Sequence, residues 1–278
     1  MDECSYIFLS LSIFVLLLLS LLGLAAAGKL LVVPVDGSHW LSMRELLVLL
    51  QQKGHEVVVV APEVSLHIKP SKTIVMKTYP VPFTQEEMDK VFKGSAKKTS
   101  ALFLATCTHL IYNKELISYL EESRFDAILT DPILPCGAIL AKYLSLPSVY
   151  FLQQIPCGLE YQATQCPNPP SYVPRVFTEL TDHMTFLQRV KNMVYDIPNF
   201  FLCDVVFQPY AELASEFLKQ EVTVPYLLRQ ASIWLMKLDF VLHFPKPLMP
   251  NMVLISGVNC AYKKLNQVGH MQFSLVVL

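Results

Sequence analysis

One stretch, residues 29–61, restricts the fold of this 278-residue chain more than any other. Residues 29–35 are an apolar run rich in β-branched side chains, which is typical of a strand buried on both faces. Residues 36–39 interrupt the run, and apolar residues then recur at helical spacing over residues 40–53. A second apolar run follows at residues 56–61. The stretch therefore predicts a compact β–α–β unit, which implies a parallel sheet with a right-handed crossover.

The same order of elements occurs again between residues 125 and 152. Residues 125–130 and 147–152 are apolar runs, and residues 135–144 show helical spacing with small side chains such as Gly137. Two such units predict an α/β fold, a Rossmann-like parallel sheet flanked by helices. Further strands are predicted at residues 73–79, 232–238 and 251–255, and further helices at 84–92, 101–112, 115–120, 185–201 and 212–219.

Two polar side chains lie just beyond the carboxyl ends of predicted strands. His39 follows the first strand, and Asp131 follows the strand at residues 125–130. Ligands bind at the carboxyl edge of open α/β sheets, where a histidine can take a proton near neutral pH and a carboxylate can fix its tautomer. The alternatives are that His39 only packs or caps its helix and that Asp131 only starts a turn or caps the next helix. Asp126 begins the same strand and is expected at the opposite edge.

The net charge, the loop after the first strand and the cysteine spacing argue against several functional classes. A net charge of −1 argues against a nucleic-acid partner, which normally contacts a basic face. The loop after the first strand is DGSHW and not GxGxxG, which argues against a nicotinamide-dependent oxidoreductase. No cysteines have CxxC or Cys/His zinc spacing, so neither a metal site nor a resident cofactor is predicted. His109, inside an apolar helix, is interpreted as a core residue.

The amino terminus predicts entry into the secretory pathway. Residues 6–27 are almost wholly apolar and end in three alanines, which resembles a signal peptide cleaved after Ala27. The run is also long enough to span a bilayer, which takes about 20 residues, so an uncleaved signal anchor is the alternative. The compartment would permit disulfides, although Cys203, flanked by apolar residues, is interpreted as a plain core residue.

Several long and nearly unbroken motifs lie within residues 28–262. They are GKLLVVPVDGSHWLSMRELLVLLQQKGHEVVVVAPE (28–63), FDAILTDPILPCG (125–137), LPSVYFLQQIPCG (146–158), QCPNPPSYVPR (165–175), DHMTFLQRVKNM (182–193) and FPKPLMPNMVLISGVNC (244–260). These motifs resemble one protein family, the vertebrate UDP-glucuronosyltransferases of family 1, and the resemblance covers residues 28–262.

The resemblance implies a signal peptide at residues 1–27, followed at residues 28–260 by the acceptor-binding amino-terminal half of a GT-B glycosyltransferase. It implies inverting transfer of glucuronic acid from UDP-glucuronate to a lipophilic hydroxyl or phenol. His39 would be the general base and Asp131 its partner. Residues 153–174 and the helices after them would line the acceptor pocket. The implied location is the lumenal side of the endoplasmic reticulum membrane.

Residues 261–278 do not continue as the family does, and we interpret them as a divergent tail in place of the linker and donor domain. The donor-binding half of the family is absent from the sequence, so we expect negligible activity from the chain alone. The alternative function is that of an inactive fragment or isoform. Such a fragment would bind acceptors or associate, as a homo- or hetero-oligomer, with full-length family members and modulate them.

Overall fold

The computed structural model describes residues 27–71, 73–92, 96–152, 155–175, 178–237 and 243–255. Residues 1–26 of the predicted signal peptide and the predicted tail at 261–278 lie outside these ranges, so both remain predictions. Within the described part of the chain, no helix has the length and apolar character needed to cross a membrane.

The described strands form one seven-stranded sheet in which every neighbouring pair is parallel. The order is β3-β2-β1-β4-β5-β6-β7. The strands are β1 (Lys29–Val33), β2 (Glu56–Pro62), β3 (Val75–Tyr79), β4 (Ala127–Thr130), β5 (Ser148–Leu152), β6 (Ala231–Lys237) and β7 (Met252–Ile255). The predicted Rossmann-like α/β fold is confirmed, and each strand lies within two residues of its predicted position.

Helices cover both faces of the sheet. They are α1 (Ser38–Gln52), α2 (Gln85–Phe92), α3 (Ala96–Ile111), α4 (Lys114–Glu122), α5 (Cys136–Tyr143), α6 (Leu159–Thr164), α7 (Phe186–Val194), α8 (Asp196–Leu218) and α9 (Val224–Leu228). A 3₁₀ turn, Pro156–Gly158, precedes α6. Two predicted helices need correction, because α3 begins before residue 101 and α8 continues through Pro209. The short helix α6 at residues 159–164 was not among the predicted helices.

Pro209 does not end α8 because the residues around it are buried. Phe207, Tyr210 and Ala214 lie in the larger hydrophobic core, on the face of the sheet that also contacts Leu31 and Val58. Proline inside a helix costs about 3 kcal/mol, a cost that burial of several large apolar side chains can offset.

The second core lies under α1 on the opposite face of the sheet. Trp40, Met43 and Leu47 of α1 pack in one cluster with Val57 and Phe151. Val57 and Val59 of β2 belong to this cluster, whereas Val58 and Val60 belong to the other, as the alternation of side chains along a strand requires. Burial on both faces explains why the strands are continuous apolar runs.

Among the described residues, two disulfides connect segments on the helical layers of the fold. Cys107 of α3 is bonded to Cys136 of α5, and Cys157 of the 3₁₀ turn is bonded to Cys203 of α8. The interpretation of Cys203 as a plain core residue was therefore wrong. Its apolar neighbours in sequence gave no sign of a partner 46 residues away. Cys166 is a buried free thiol.

Helix α5 packs closely on β4 because Gly137 has no side chain. A Cβ atom at Gly137 would overlap the Thr130 side chain, whose hydroxyl donates a hydrogen bond of 2.7 Å to the carbonyl oxygen of Val33. The small residue at this position therefore allows the helix and the sheet to approach closely. The packing also holds the end of β4 against β1.

We expect Gly137→Ala to lower the free energy of unfolding by about 1–3 kcal/mol, because the added methyl overpacks the contact. Thr130→Ala removes the hydroxyl and methyl that the new Cβ meets, so the double variant should lose less than the sum of the two single losses. Urea unfolding of the four proteins measures this coupling. Additive losses would show that the overlap with Thr130 is not the cause.

Candidate active site

The two predicted site residues are delivered by neighbouring parallel strands. Val33 of β1 lies opposite Thr130 of β4 in the sheet, so the loops after both strands start side by side. Gly37 turns the chain from β1 into α1 with a φ of +87°, a conformation that a side chain would strain. His39 is the second residue of α1, and Asp131 directly follows β4. The structure therefore brings both residues to the carboxyl edge.

His39 and Asp131 are in direct contact. Nδ1 of His39 lies 2.5 Å from Oδ2 of Asp131. The Asp131 side chain is 1% exposed and that of His39 is 32% exposed. The other carboxylate oxygen, Oδ1, accepts the backbone N–H of Ile133 at 3.0 Å. An ionised carboxylate only accepts hydrogen bonds, so Nδ1 of His39 carries the proton and Nε2 is the basic nitrogen.

The surroundings raise the pKa of His39 above its ordinary value. The hydrogen bond to Asp131 is the largest cause, and the negative charge of Asp131 acts in the same direction. Burial of the ring and the positive charge of Lys237 both lower the pKa and oppose this shift. The two charges thus act on the ring in opposite directions: the carboxylate favours the imidazolium and the ammonium disfavours it.

Asp36 also lies at the carboxyl edge of the sheet, and from the sequence it was interpreted only as part of the break after the first strand. Its carboxylate accepts the backbone N–H groups of Gly37, Leu66 and His67 at 2.6, 2.5 and 3.0 Å. These bonds connect the loop between β1 and α1 to the loop after β2. An aspartate three residues beyond the end of a buried strand is the sequence signal for such a role.

An apolar cavity opens at the same edge, and Asp131 is one of its lining residues. His39 does not line it, so the cavity approaches the pair from the side of Asp131. The loops after β1, β2 and β4 form part of its wall, and α2, α3 and the segment before α2 form another part that includes Phe83, Met88, Leu102, Phe103 and Leu110.

The predicted wall at residues 153–174 does not line this cavity. Side chains of that region, among them Tyr161 and Asn168, line a separate cleft against α8 and α9 that contains neither His39 nor Asp131. Asp126 lies at the amino edge of the sheet, as predicted, where Oδ2 accepts the N–H of Lys29 at 2.6 Å. His109 is exposed on α3, so its interpretation as a core residue was wrong. Among the described residues, no cluster of acidic, histidine and cysteine side chains could hold a metal ion.

Besides Asp131, a second buried carboxylate lies away from the carboxyl edge of the sheet. Glu160 of α6 is fully buried, and its Oε1 atom has no hydrogen-bond partner. Burial raises the pKa of Glu160 to about 7, although the positive charge of Lys246 opposes the shift. Nothing in the sequence around Glu160 distinguished it from an exposed helical glutamate.

Asp131→Asn should lower the pKa of His39, because the variant loses the negative charge, and with it the charge-assisted hydrogen bond, that favour the imidazolium. An NMR titration of the His39 ring protons measures the shift. Asp126→Asn is the matched control, since it removes a carboxylate at the opposite edge. Equal pKa values for His39 in wild type and Asp131→Asn would contradict the described contact.

Glu160→Gln should stabilise the chain at pH 8 by up to about 3 kcal/mol, the free-energy equivalent of a pKa raised from 4.5 to about 7. The buried carboxyl binds its proton more tightly when folded, so wild-type stability falls as pH rises from about 4.5 to about 7. Near pH 4 the two proteins should differ little. Urea unfolding at both pH values tests this, with Glu63→Gln, at an exposed position, as the control.

A protein-family model described as UDP-glucoronosyl and UDP-glucosyl transferase matches residues 28–273. The match extends past Cys260, beyond the stretch over which the motifs resemble family 1. UDP-glucuronosyltransferase 1A1 of Homo sapiens is 53% identical over 269 residues, covering 89% of this chain and 50% of that protein. UDP-glucuronosyltransferase 1A1 of Rattus norvegicus is also 53% identical, over 270 residues and with the same coverage.

The chain spans about half the length of these curated relatives. Among solved structures, Spinosyn Forosaminyltransferase SpnP matches with a TM-score of 0.48 and 15% identity, over 83% of this chain and 50% of that chain. The family match covers most of the sequence and includes the strands, loops and helix that carry His39 and Asp131. The chain therefore belongs to the UDP-glucoronosyl and UDP-glucosyl transferase family.

Proposed function

We propose that this chain is the acceptor-binding half of a UDP-glucuronosyltransferase, with His39 as general base and Asp131 as its partner. The observation that carries the proposal is the 2.5 Å contact between His39 Nδ1 and Asp131 Oδ2 beside an apolar cavity. A histidine whose Nδ1 proton is held by a carboxylate presents Nε2 as the base. An apolar cavity favours lipophilic acceptors.

In the proposed reaction, Nε2 of His39 takes the proton from the acceptor hydroxyl. The acceptor oxygen then attacks the anomeric carbon of glucuronic acid, the bond to UDP breaks, and UDP leaves with inversion at that carbon. Asp131 keeps the Nδ1 proton and stabilises the imidazolium that forms. UDP-glucuronate is the donor substrate, and its binding residues are expected in the half of the relatives that this chain does not cover.

Replacing His39 should reduce turnover by about 10²–10⁴-fold, the usual contribution of a general base. The test is a chimera that joins this chain to the uncovered half of human UDP-glucuronosyltransferase 1A1, assayed with UDP-glucuronate and a phenol. His39→Gln should lower kcat strongly, whereas His109→Gln, at an exposed position of α3, should leave it unchanged. Similar turnover in both variants would refute the assignment of His39 as the base.

A second candidate function is acceptor binding without transfer. The cavity beside Asp131 is built from described residues of this chain, so acceptor binding does not require the donor half. We expect the chain alone to bind a phenol in calorimetry and to show negligible turnover with UDP-glucuronate. Turnover by the chain alone would contradict this. Association with full-length relatives is tested by co-expression, where an unchanged rate and recovery of the relative would count against it.

We also propose that the chain acts on the lumenal side of the endoplasmic reticulum membrane. Two disulfides among the described residues favour an oxidising compartment. Large apolar side chains are exposed on α7 and α8, including Phe186, Leu187, Ile197 and Val205, and they favour contact with the membrane surface. Protease digestion of microsomes with and without detergent tests the location: digestion without detergent would overturn it.

A further inference from the structure

A lysine from a distant strand reaches the helix that carries His39. Lys237 is the last residue of β6, and its Nζ donates a hydrogen bond of 2.6 Å to Oγ of Ser42 on α1. Strands β4 and β5 lie between β1 and β6 in the sheet. The Lys237–Ser42 bond therefore links the carboxyl edge of one half of the sheet to the helix that follows β1.

Ser42 transmits this contact to the start of α1. It lies three residues after His39, so the two side chains are neighbours on the surface of the helix. Ser42 is 5% exposed, and its hydroxyl donates to the carbonyl oxygen of Ser38 at 3.1 Å while it accepts from Lys237. The two bonds connect the ammonium group to the first turn of α1, which contains His39.

We propose that Lys237 is a positioning residue for His39: it holds the first turn of α1 through Ser42, and its positive charge acts on the imidazole in opposition to the charge of Asp131. Only the description of His39 as a base rests on the proposed function. The bond to Ser42 and the opposing charges of Lys237 and Asp131 are features of the structure itself.

The electrostatic part follows from the charged groups that act on the ring. Asp131, after β4, favours the imidazolium, and Lys237, at the end of β6, disfavours it and lowers the pKa of His39. Asp36, on the loop before α1, is bonded to three backbone N–H groups. A general base works best when its pKa lies near the working pH, and a histidine paired only with a buried carboxylate would be protonated too readily.

The test is an NMR titration of His39 in the full chain. Lys237→Met should raise the pKa of His39, and Lys237→Arg, which keeps the charge, should leave it at the wild-type value. Ser42→Ala removes the hydrogen bond and keeps the charge, so it should raise the pKa less than Lys237→Met. An unchanged pKa in Lys237→Met would overturn the proposal. If that variant does not fold, Lys237→Gln replaces it with the same expected rise, and an unchanged pKa there would overturn the proposal.

The chimera with the human relative provides the second readout. In Lys237→Met the ratio of kcat/KM at pH 6 to kcat/KM at pH 8 should be at least about twofold lower than in the wild type. The raised pKa of His39 in the variant increases the protonated, inactive fraction at pH 6 more than at pH 8. A merely structural role would lower both rates equally. The NMR result needs no donor and no turnover, so it stands even if His39 is not the base. If His39→Gln loses turnover while Lys237→Met leaves the pKa of His39 unchanged, the proposed role of His39 as a base is retained and the proposed role of Lys237 is rejected.

Discussion

The contact between His39 and Asp131 depends on the parallel pairing of β1 with β4. Both residues follow strands that end at the same level, since Val33 lies opposite Thr130. The Thr130 hydroxyl bonds the carbonyl oxygen of Val33, and Gly37 supplies the positive φ that turns the chain into α1. The geometry of the pair is therefore set by the centre of the sheet, which is more rigid than a surface loop.

Two buried carboxylates in this chain illustrate how the surroundings decide what a buried charge can do. Asp131 has a partner for each oxygen, His39 for one and the N–H of Ile133 for the other, which offsets the cost of removing the charge from water. Glu160 has one weak contact, the N–H of Ile155 at 3.3 Å, and an unpartnered second oxygen. Burial accordingly raises the pKa of Glu160 to about 7. Asp131 thus has the surroundings that a carboxylate needs to orient a histidine.

The parts of this structure that are local in sequence could be predicted from it. The strands are apolar runs with clear ends, and the rule that parallel strands share a carboxyl edge placed His39 and Asp131 at one edge, whereas their roles as a pair came from the resemblance to the family. The failures concern contacts between distant segments. The disulfide partner of Cys203, the exposure of His109 and the reach of Lys237 to Ser42 all depend on how helices and strands pack in three dimensions. No spacing within a helix or strand encodes such contacts.

The position of the cavity bears on which steps of the proposed reaction would be carried out by the half of the relatives that this chain covers. Asp131 lines a cavity whose wall comes from the same chain, so acceptor binding and deprotonation can both reside in this half. General-base catalysis contributes about 10²–10⁴ in rate, whereas holding two substrates together in the right geometry can contribute about 7–11 kcal/mol. The second effect requires a bound donor. In the proposed reaction, general-base catalysis by His39 would therefore be the smaller of the two contributions, and positioning of the donor against the acceptor would be the larger.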